Sequence, residues 1–242
     1  MKTSKKLLAV LLAVLLLAST MAVSFTVSAV GGTDGNITWD YNEATKTLTI
    51  SGTGKMTDYT TYAATPWKDQ IMDIKTVIIE PGVTSVGDYA FYPPSYSAHD
   101  ISSNIESVTL PDTVETIGRY AFAASQIESV ELPAGVKTVK KCAFAACSKL
   151  STVKLSSNIE LVEYTAFDGR PFNVVYDGTM EQWESFSKNT EFKFSESTIH
   201  TKTGSATLCR WCGKYHVEKN FFDKIKVFFH TLFAELFGYR YY

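Results

Sequence analysis

Three residues near the end of the chain have the types and spacing of metal ligands. Cys209 and Cys212 are separated by two residues in the stretch CRWCGKYH, and His216 follows four residues after Cys212. Two thiolates and one imidazole can give three ligands to a tetrahedral Zn²⁺ ion. A closed structural site needs a fourth ligand, for which His200 is the nearest candidate. The spacing predicts a structural zinc knuckle over residues 202–216.

Two other interpretations of this cysteine pair stay open. In an exported protein, Cys209 and Cys212 can form a local disulfide or remain free thiols. The third alternative is a thiol-redox motif, although the sequence lacks the βαβ pattern that usually surrounds one.

The sequence has no other pattern typical of catalysis. It contains no nucleophile elbow, phosphate-binding loop, HExxH motif or pair of catalytic carboxylates. The four histidines are spread over a loop, a closing strand and the tail: His99, His200, His216 and His230. We therefore expect a protein that is not an enzyme.

A repeated unit organises the chain before the cysteine pair. The unit is written three times, as IESVTLPDTVETIGRYAFAASQ, IESVELPAGVKTVKKCAFAACSK and LSTVKLSSNIELVEYTAFDG, with its last aromatic at Phe122, Phe144 and Phe167. A fourth copy lies upstream with its aromatic at Phe91, and the segment YPPSYSAHDISSN is inserted after it. The period, about 22 residues, is typical of a solenoid.

Each unit predicts a short strand followed by a turn. Val130 and Leu132 point to one side of the strand while Glu131 points away, and Pro133 ends the strand because it has no N–H to donate. The unit before it has six inward positions: Val108, Leu110, Val114, Ile117, Ala121 and Phe122. The burial of six side chains stabilises one unit by less than the conformational entropy that is lost when the unit becomes ordered. We therefore expect the units to stack and their phenylalanines to align.

The pattern I-x-S-V-x-L-P-x-x-V-x-x-I-x-x-x-A-F resembles the BspA-like leucine-rich repeats of secreted and surface proteins of anaerobic and gut bacteria. The opening NITWDYNEATKTLTISGTGKM and the late VVYDGTMEQW resemble that family's end units. The resemblance implies a mainly β fold, a right-handed leucine-rich-repeat solenoid with short parallel strands, an N-terminal β-hairpin cap and a C-terminal cap. It also implies a binding or adhesion function with varied partners.

The first residues are typical of a secretory signal peptide. A basic head, MKTSKK, precedes an apolar stretch and the small residues Val27-Ser28-Ala29, so we expect cleavage after Ala29; an uncleaved membrane anchor is the alternative. Cleavage removes three lysines and no acid, which changes the formal net charge from −2 to −5. A mildly acidic exported protein is not expected to bind nucleic acid.

The ends of the array carry their own signals. Alternating apolar residues predict a β-hairpin with Ile37, Trp39 and Tyr41 on one strand and Leu48 and Ile50 on the other. Thr65-Pro66-Trp67 predicts a short helix to about Met72. We interpret Trp39 and Trp67 as lids over the end of the array, with a sugar-stacking platform as the alternative.

At the far end, Phe172–Tyr176 predicts a strand, and Thr179–Gln182 is a capping box that begins a helix carrying Trp183 and Phe186. Phe192, Phe194 and Ile199 predict a last strand. The tail NFFDKIKVFFHTLFAELF has helical spacing and predicts an amphipathic C-terminal helix. We expect it to dock on a partner or the envelope; packing on the array and insertion in a bilayer are the alternatives.

These features divide the chain into six predicted segments: signal peptide 1–29, N-terminal cap 30–73, repeat array 74–171, C-terminal capping unit 172–201, Cys/His knuckle 202–216 and amphipathic helix 217–239.

Two surfaces of the array are candidate binding sites. The inserted loop carries Tyr92, Tyr96 and His99, and loops on a rigid scaffold often carry recognition, although insertions are also easily tolerated. The outward side of the strand row has two columns, one of Thr76, Ser107, Ser129 and Thr152 and one of Thr109, Glu131 and Lys154. Solenoids often bind partners on such a face; a plain solvated sheet is the alternative.

Cys142 and Cys147 lie in one closing turn. A buried thiol at Cys147, where the resembling family often has a cysteine, is the expected state, and a disulfide between the two is the alternative.

The sequence therefore predicts an exported or cell-surface binding or adhesion module for a protein or glycan partner. A structural or assembly protein acting through its tail helix is one alternative. A thiol-redox or zinc accessory protein acting through Cys209 and Cys212 is the other.

Overall fold

A computed structural model describes residues 29–94, 102–167, 172–191, 197–208 and 215–217. The chain starts with β1 (Ala29–Asp34), β2 (Ile37–Asn42), β3 (Thr47–Gly52), β4 (Gly54–Lys55) and a 3₁₀ turn (Tyr62–Ala64). The repeats contribute β5 (Thr76–Ile79), β6 (Val83–Val86), β7 (Ser107–Thr109), β8 (Thr116–Ile117), β9 (Ser129–Glu131), β10 (Thr138–Val139), β11 (Thr152–Ser156) and β12 (Leu161–Val162). The end of the described chain contains β13 (Asn173–Asp177), α1 (Met180–Asn189), β14 (Thr198–Thr201), β15 (Gly204–Leu208) and β16 (Tyr215–Val217).

The repeats form a β-solenoid in which each coil gives one strand to each of two rows. The first row consists of sheet A, in the order β1-β2-β3-β5-β7, and sheet C, in the order β9-β11-β13-β14-β15-β16. The second row is sheet B, in the order β4-β6-β8-β10-β12. Strands of successive coils pair in parallel, and the hairpins at the two ends pair antiparallel. The predicted mainly β solenoid is confirmed.

A column of aromatic rings runs through the middle of the array, as predicted. Phe91, Phe122, Phe144 and Phe167 are at most 2% exposed. Neighbouring ring centroids lie 5.0, 5.4 and 5.2 Å apart, and the ring planes differ by 16°, 14° and 5°. Each coil therefore covers the phenylalanine ring of the coil before it. A single coil would leave its ring uncovered.

The two ends of this column are closed by other aromatic residues. Trp67 stacks on Phe91 at 5.6 Å, and its indole N–H donates to the Ala90 carbonyl at 2.8 Å. Phe172 lies 5.6 Å from Phe167 at the opposite end. Trp67 is fully buried, which supports its interpretation as a lid.

The predicted helix from Thr65 to Met72 is wrong. The segment contains the 3₁₀ turn and then successive i→i+3 turns, such as Lys68 N–H to the Thr65 carbonyl. The Thr65 hydroxyl, which was expected to cap a helix as an acceptor, instead donates to the Tyr62 carbonyl at 2.8 Å. A hydroxyl used in this way does not satisfy the free N–H groups of a helix start.

The first row is interrupted between β7 and β9, which lie side by side but belong to different sheets. This break, called the seam below, exposes part of two side chains predicted to point inward. Val108 and Leu110 are only half-buried, whereas their counterparts Val130 and Leu132 are 2% and 3% exposed. Val108 and Leu110 point inward as predicted and pack against the core, but they are less enclosed than their counterparts, since no backbone ladder joins the two strands there.

The C-terminal cap follows the sequence prediction in its main elements. β13 lies where a strand was expected, and α1 begins with the predicted capping box: Thr179 accepts from Gln182 N–H, and Gln182 accepts from Thr179 N–H. Trp183 and Phe186 are its buried residues. Phe192 and Phe194 lie outside the described residues, whereas Ile199 lies in β14; β15 and β16 follow it in the described part of the chain.

Further sequence-based predictions concern the two ends of the chain. The signal peptide before residue 29 lies outside the described residues. Val217, the first residue of the predicted amphipathic helix, ends β16, and residues 218–239 lie outside them as well. Within the described ranges, no helix has the length and apolar character needed to cross a membrane.

Candidate binding surfaces

The outward side of the first row carries the predicted column of small polar side chains. Register places Thr76 beside Ser107 in sheet A and Ser129 beside Thr152 in sheet C. Ser107 Oγ donates to Thr76 Oγ1 at 3.1 Å. The column continues past the predicted residues, through Thr47 at one end and through Asn173 and Thr198 at the other. A polar column therefore crosses both sheets of the first row.

The second column contains an exposed ion pair. Lys154 Nζ lies 2.9 Å from Glu131 Oε2, and their side chains are 53% and 70% exposed. The structure thus brings these two predicted residues together. Thr109 pairs with Ile78 on the other side of the seam. Beyond Lys154 the column continues with Val175, 39% exposed, and then His200.

A second surface lies where the inserted loop leaves the array. Tyr92, predicted as a contact residue, packs edge-on against Tyr89 and Tyr120 at 5.7 and 5.8 Å. Tyr89 and Tyr120 are stacked at 5.0 Å. These three residues are called the tyrosine cluster below. Tyr96 and His99, the other predicted loop residues, lie outside the described residues.

The sequence analysis missed Tyr89 and Tyr120 as surface residues. Both precede the repeat phenylalanine by two residues, and the same position holds Cys142 and Thr165 in the next coils. At all four positions φ lies between 56° and 61°, the left-handed region that bulky side chains rarely adopt. Aligning the repeats by their phenylalanines would have shown this column, but not its backbone conformation.

A charged row runs beside the tyrosine cluster, one residue earlier in each coil. Asp88 is the most enclosed of these charges, with its side chain 15% exposed. Its Oδ1 accepts from the backbone N–H of Arg119 at 2.8 Å and from Lys140 Nζ at 3.1 Å. Arg119 also lies over the ring of Tyr89, with Cζ 5.6 Å from the centroid. One carboxylate thereby joins three successive coils.

The two cysteines of the closing turn are separate free thiols, so the disulfide alternative is not the state of this structure. Cys147 Sγ contacts Ser125 Oγ at 3.1 Å, and burial raises the pKa of the Cys147 thiol. Cys142 Sγ contacts Thr165 Oγ1 at 3.0 Å on another side of the turn. A hydrogen bond with Cys142, helped by burial, raises the pKa of Tyr120 to about 12.

The proposed zinc ligands are only partly described. Cys209 and Cys212 lie outside the described residues, and of His216 the structure gives the backbone position in β16, opposite Thr207. His200 pairs with Ser205 near the start of β15, and its Nδ1 lies 2.9 Å from Ser205 Oγ. In the described part of the chain, no group of three or more His, Cys, Asp and Glu side chains could hold a metal ion. The zinc site stays a prediction.

Solved structures with similarity to this chain are leucine-rich repeat proteins of bacteria. One from Eubacterium ventriosum is 15% identical, with 73% of each chain covered and a TM-score of 0.31. A leucine-rich cell surface protein from Faecalibacterium prausnitzii is 19% identical, with 79% of this chain and 59% of that chain covered and a TM-score of 0.38. One from Bacteroides ovatus is 17% identical, with 60% and 55% covered and a TM-score of 0.25. No curated protein matches the sequence.

A family model gives the assignment. The BspA-type leucine-rich repeat region, in six copies, matches residues 69–190, which is half of the chain. The matched region contains the four stacked phenylalanines, strands β5 to β13 and the helix of the C-terminal cap. The chain belongs to the BspA-type leucine-rich repeat family.

Proposed function

We propose that this protein is an exported, non-enzymatic binding module that presents the outward side of its first strand row to a protein or glycan on a cell surface. The observation that carries this proposal is the polar face itself, whose columns are held in register from β3 to β7 and again from β9 to β14. An ordered, exposed face spread over several coils suits contact over a wide area. Such contact needs no deep pocket.

The composition of this face supports recognition. The side chains nearest the Glu131–Lys154 pair are short, so a partner can approach the sheet closely. The pair is held together at 2.9 Å but remains exposed, so each charge can exchange its present partner for one on a ligand. Val175 adds an exposed apolar side chain next to Lys154, which can anchor a contact at the centre of sheet C.

The N-terminal sequence supports export. The signal-peptide pattern predicts cleavage after Ala29, which is the first residue of β1. Cleavage there leaves the pairing of Val30 to Asp34 with β2 unchanged. The mature N-terminal cap therefore keeps its outer strand. The repeats resemble those of secreted and surface proteins, which agrees with an extracellular location for this protein.

Reversing the charge at Glu131 tests the face. We expect the Glu131→Lys variant to lose at least tenfold in affinity for partners recovered from cell-surface material, because it places two cations side by side. The measurement is capture of surface proteins and glycans on the immobilised protein, followed by titration of the recovered partner. The variant should keep the melting temperature of the parent, since exposed ion pairs contribute little to stability.

The matched control lies directly before two strands of sheet B. Lys137 Nζ and Glu115 Oε2 form a similarly exposed pair at 3.6 Å, so Glu115→Lys makes the same change of charge beside the second row. The proposal predicts full binding by this control. Equal loss in both variants, or no loss in Glu131→Lys, would show that the first row is not the binding face.

A further inference from the structure

The most exposed large apolar side chain of the described residues belongs to Tyr164, at 65%. It occupies the position that Asp88, Arg119 and Lys141 hold in the three preceding coils, three residues before the repeat phenylalanine. That position is charged in the other coils and aromatic only here. Burial does not explain the aromatic residue, because a ring so exposed gains little of the stabilisation that apolar burial gives.

Backbone hydrogen bonds align Arg119 and Lys141 in one row, and a side-chain contact extends the row to the coil of Tyr164. Tyr89 N–H donates to the Arg119 carbonyl at 2.8 Å, and Tyr120 N–H donates to the Lys141 carbonyl at 3.2 Å. The contact between Cys142 and Thr165 continues this alignment to the coil of Tyr164. Arg119, Lys141 and Tyr164 are called the turn ridge below. In each coil, the ridge residue comes two positions after the end of the sheet B strand, so the ridge is separate from the outward face of the first row.

The charges along the turn ridge nearly balance, with three cations and four carboxylates. The cations are Arg119, Lys140 and Lys141, and the carboxylates that face the ridge accept backbone N–H groups of its residues or their neighbours. The Asp58 carboxylate accepts from the backbone N–H of Asp88, and the Asp88 carboxylate accepts from that of Arg119. The Glu163 carboxylate accepts from the backbone N–H of Lys141 at 2.7 Å, and the Glu191 carboxylate accepts from that of Tyr164 at 3.3 Å. A row with this balance has no electrostatic preference for a strongly charged ligand. It does offer many hydrogen-bond donors and acceptors close to one open aromatic ring.

We propose that the turn ridge binds a neutral polysaccharide, with one sugar ring on Tyr164 and its neighbours along Lys141 and Arg119. The C–H groups on one face of a pyranose carry partial positive charge and match the negative face of an aromatic ring. The sugar hydroxyls match the charged groups on either side. Tyr164 is 65% exposed, and no ring of the described residues is found stacked on it, so much of its ring is accessible to a ligand.

The dimensions of the turn ridge favour a sugar chain over a protein. Neighbouring coils are about 4.8 Å apart, so the ridge extends about 10 Å from Arg119 to Tyr164. This length accommodates a few sugar residues but is short for a stable protein interface, which buries about 800 Å² on each partner. Tyr89 and Tyr120, which follow Asp88 and Arg119 in the chain, stack at 5.0 Å and so pack these two coils together.

The test is affinity electrophoresis of the purified protein in gels that contain mannan, xyloglucan, starch or mixed-linkage β-glucan, with polygalacturonate as an acidic comparison. We expect at least one neutral polysaccharide to retard the protein. Tyr164→Ala should weaken that binding at least tenfold, whereas Tyr164→Phe, which keeps the ring, should stay within about threefold of the parent. Lys141→Ala should have an intermediate effect.

Glu131→Lys is the control on the other face and should be retarded like the parent, so that failure of the ridge and failure of the first-row face are distinguishable. Tyr164→Ala should melt like the parent because the side chain is exposed. Three results would each overturn the proposal: no retardation by any neutral polysaccharide, retardation by polygalacturonate alone, or undiminished binding by Tyr164→Ala.

Discussion

Replacing Phe122 by alanine should destabilise the protein by about 3–5 kcal/mol, the range for removing a buried phenylalanine. Phe122 is fully buried between Phe91 and Phe144, with ring centroids 5.0 and 5.4 Å away. Its loss leaves a cavity that two coils share, and the flanking coils cannot close it without breaking the backbone ladder between them. For a protein of this size, we expect the melting temperature to fall by about 10 °C.

Thermal and urea unfolding, monitored by circular dichroism, measure this effect. Tyr164→Ala is the matched control. It also removes an aromatic ring from the repeat array, but this ring is 65% exposed. Its stability should stay within about 0.5 kcal/mol of the parent. A Phe122→Ala protein that melts like the parent would mean that the ring column does not hold the coils together.

Gly118→Ala should cost about 3 kcal/mol or prevent folding, through a clash between coils. A Cβ at Gly118 would lie 2.5 Å from the Gly87 carbonyl carbon and 2.6 Å from the Asp88 nitrogen. Both atoms belong to backbone, and the Gly118 N–H is bonded to the Val86 carbonyl at 2.9 Å, so neither coil can retreat without losing a hydrogen bond. Forcing atoms into a packed site typically costs 1–3 kcal/mol, and more where nothing can move.

The yield of soluble protein and its urea midpoint measure the effect of Gly118→Ala. Gly35→Ala is the control, because a Cβ at Gly35 meets no atom within 4 Å and the change carries only the cost of a left-handed residue at φ 61°. The next coil holds Lys140 at the position of Gly118, so the repeat itself does not require glycine there. The test therefore measures the close approach of these two coils. If Gly118→Ala is no worse than Gly35→Ala, the coils do not approach as closely at Gly87 as the structure indicates.

The repeat determined most of what could be predicted about the fold. The spacing of Phe91, Phe122, Phe144 and Phe167 was enough to predict one column of rings, because a regular coil brings equivalent residues together. The capping box at Thr179 was also readable, since its two hydrogen bonds depend on residues three apart. These are local patterns, and their consequences are local or repeat from coil to coil.

The wrong helix at Thr65 and the uneven burial along the first row both come from contacts that no local pattern contains. Thr65 and Pro66 have helix-start residue types, yet the Thr65 hydroxyl donates to Tyr62 and the segment folds as turns around the buried Trp67. Val108 fits the repeat as well as Val130 does. Its partial exposure depends on whether β7 and β9 are joined, which the repeat alone does not specify.

The binding surfaces show the same division. The polar columns of the first row follow from strand alternation, and register places their members side by side as predicted. The stacking of Tyr89 on Tyr120 and the exposure of Tyr164 depend on a left-handed turn that recurs in every coil. Nothing in the residue types at these positions indicates that turn, because tyrosine is unusual there.

A double-mutant cycle on neighbouring rings tests most directly whether the coils stabilise one another through the aromatic column. Phe122→Leu and Phe144→Leu, made singly and together, remove the stacking while keeping most of the buried volume. We predict a coupling free energy of about 0.5–1.5 kcal/mol for this pair. The same cycle for Phe91 and Phe167, at opposite ends of the column, should be additive within about 0.5 kcal/mol. Additivity in the neighbouring pair, or equal coupling in both pairs, would contradict the account.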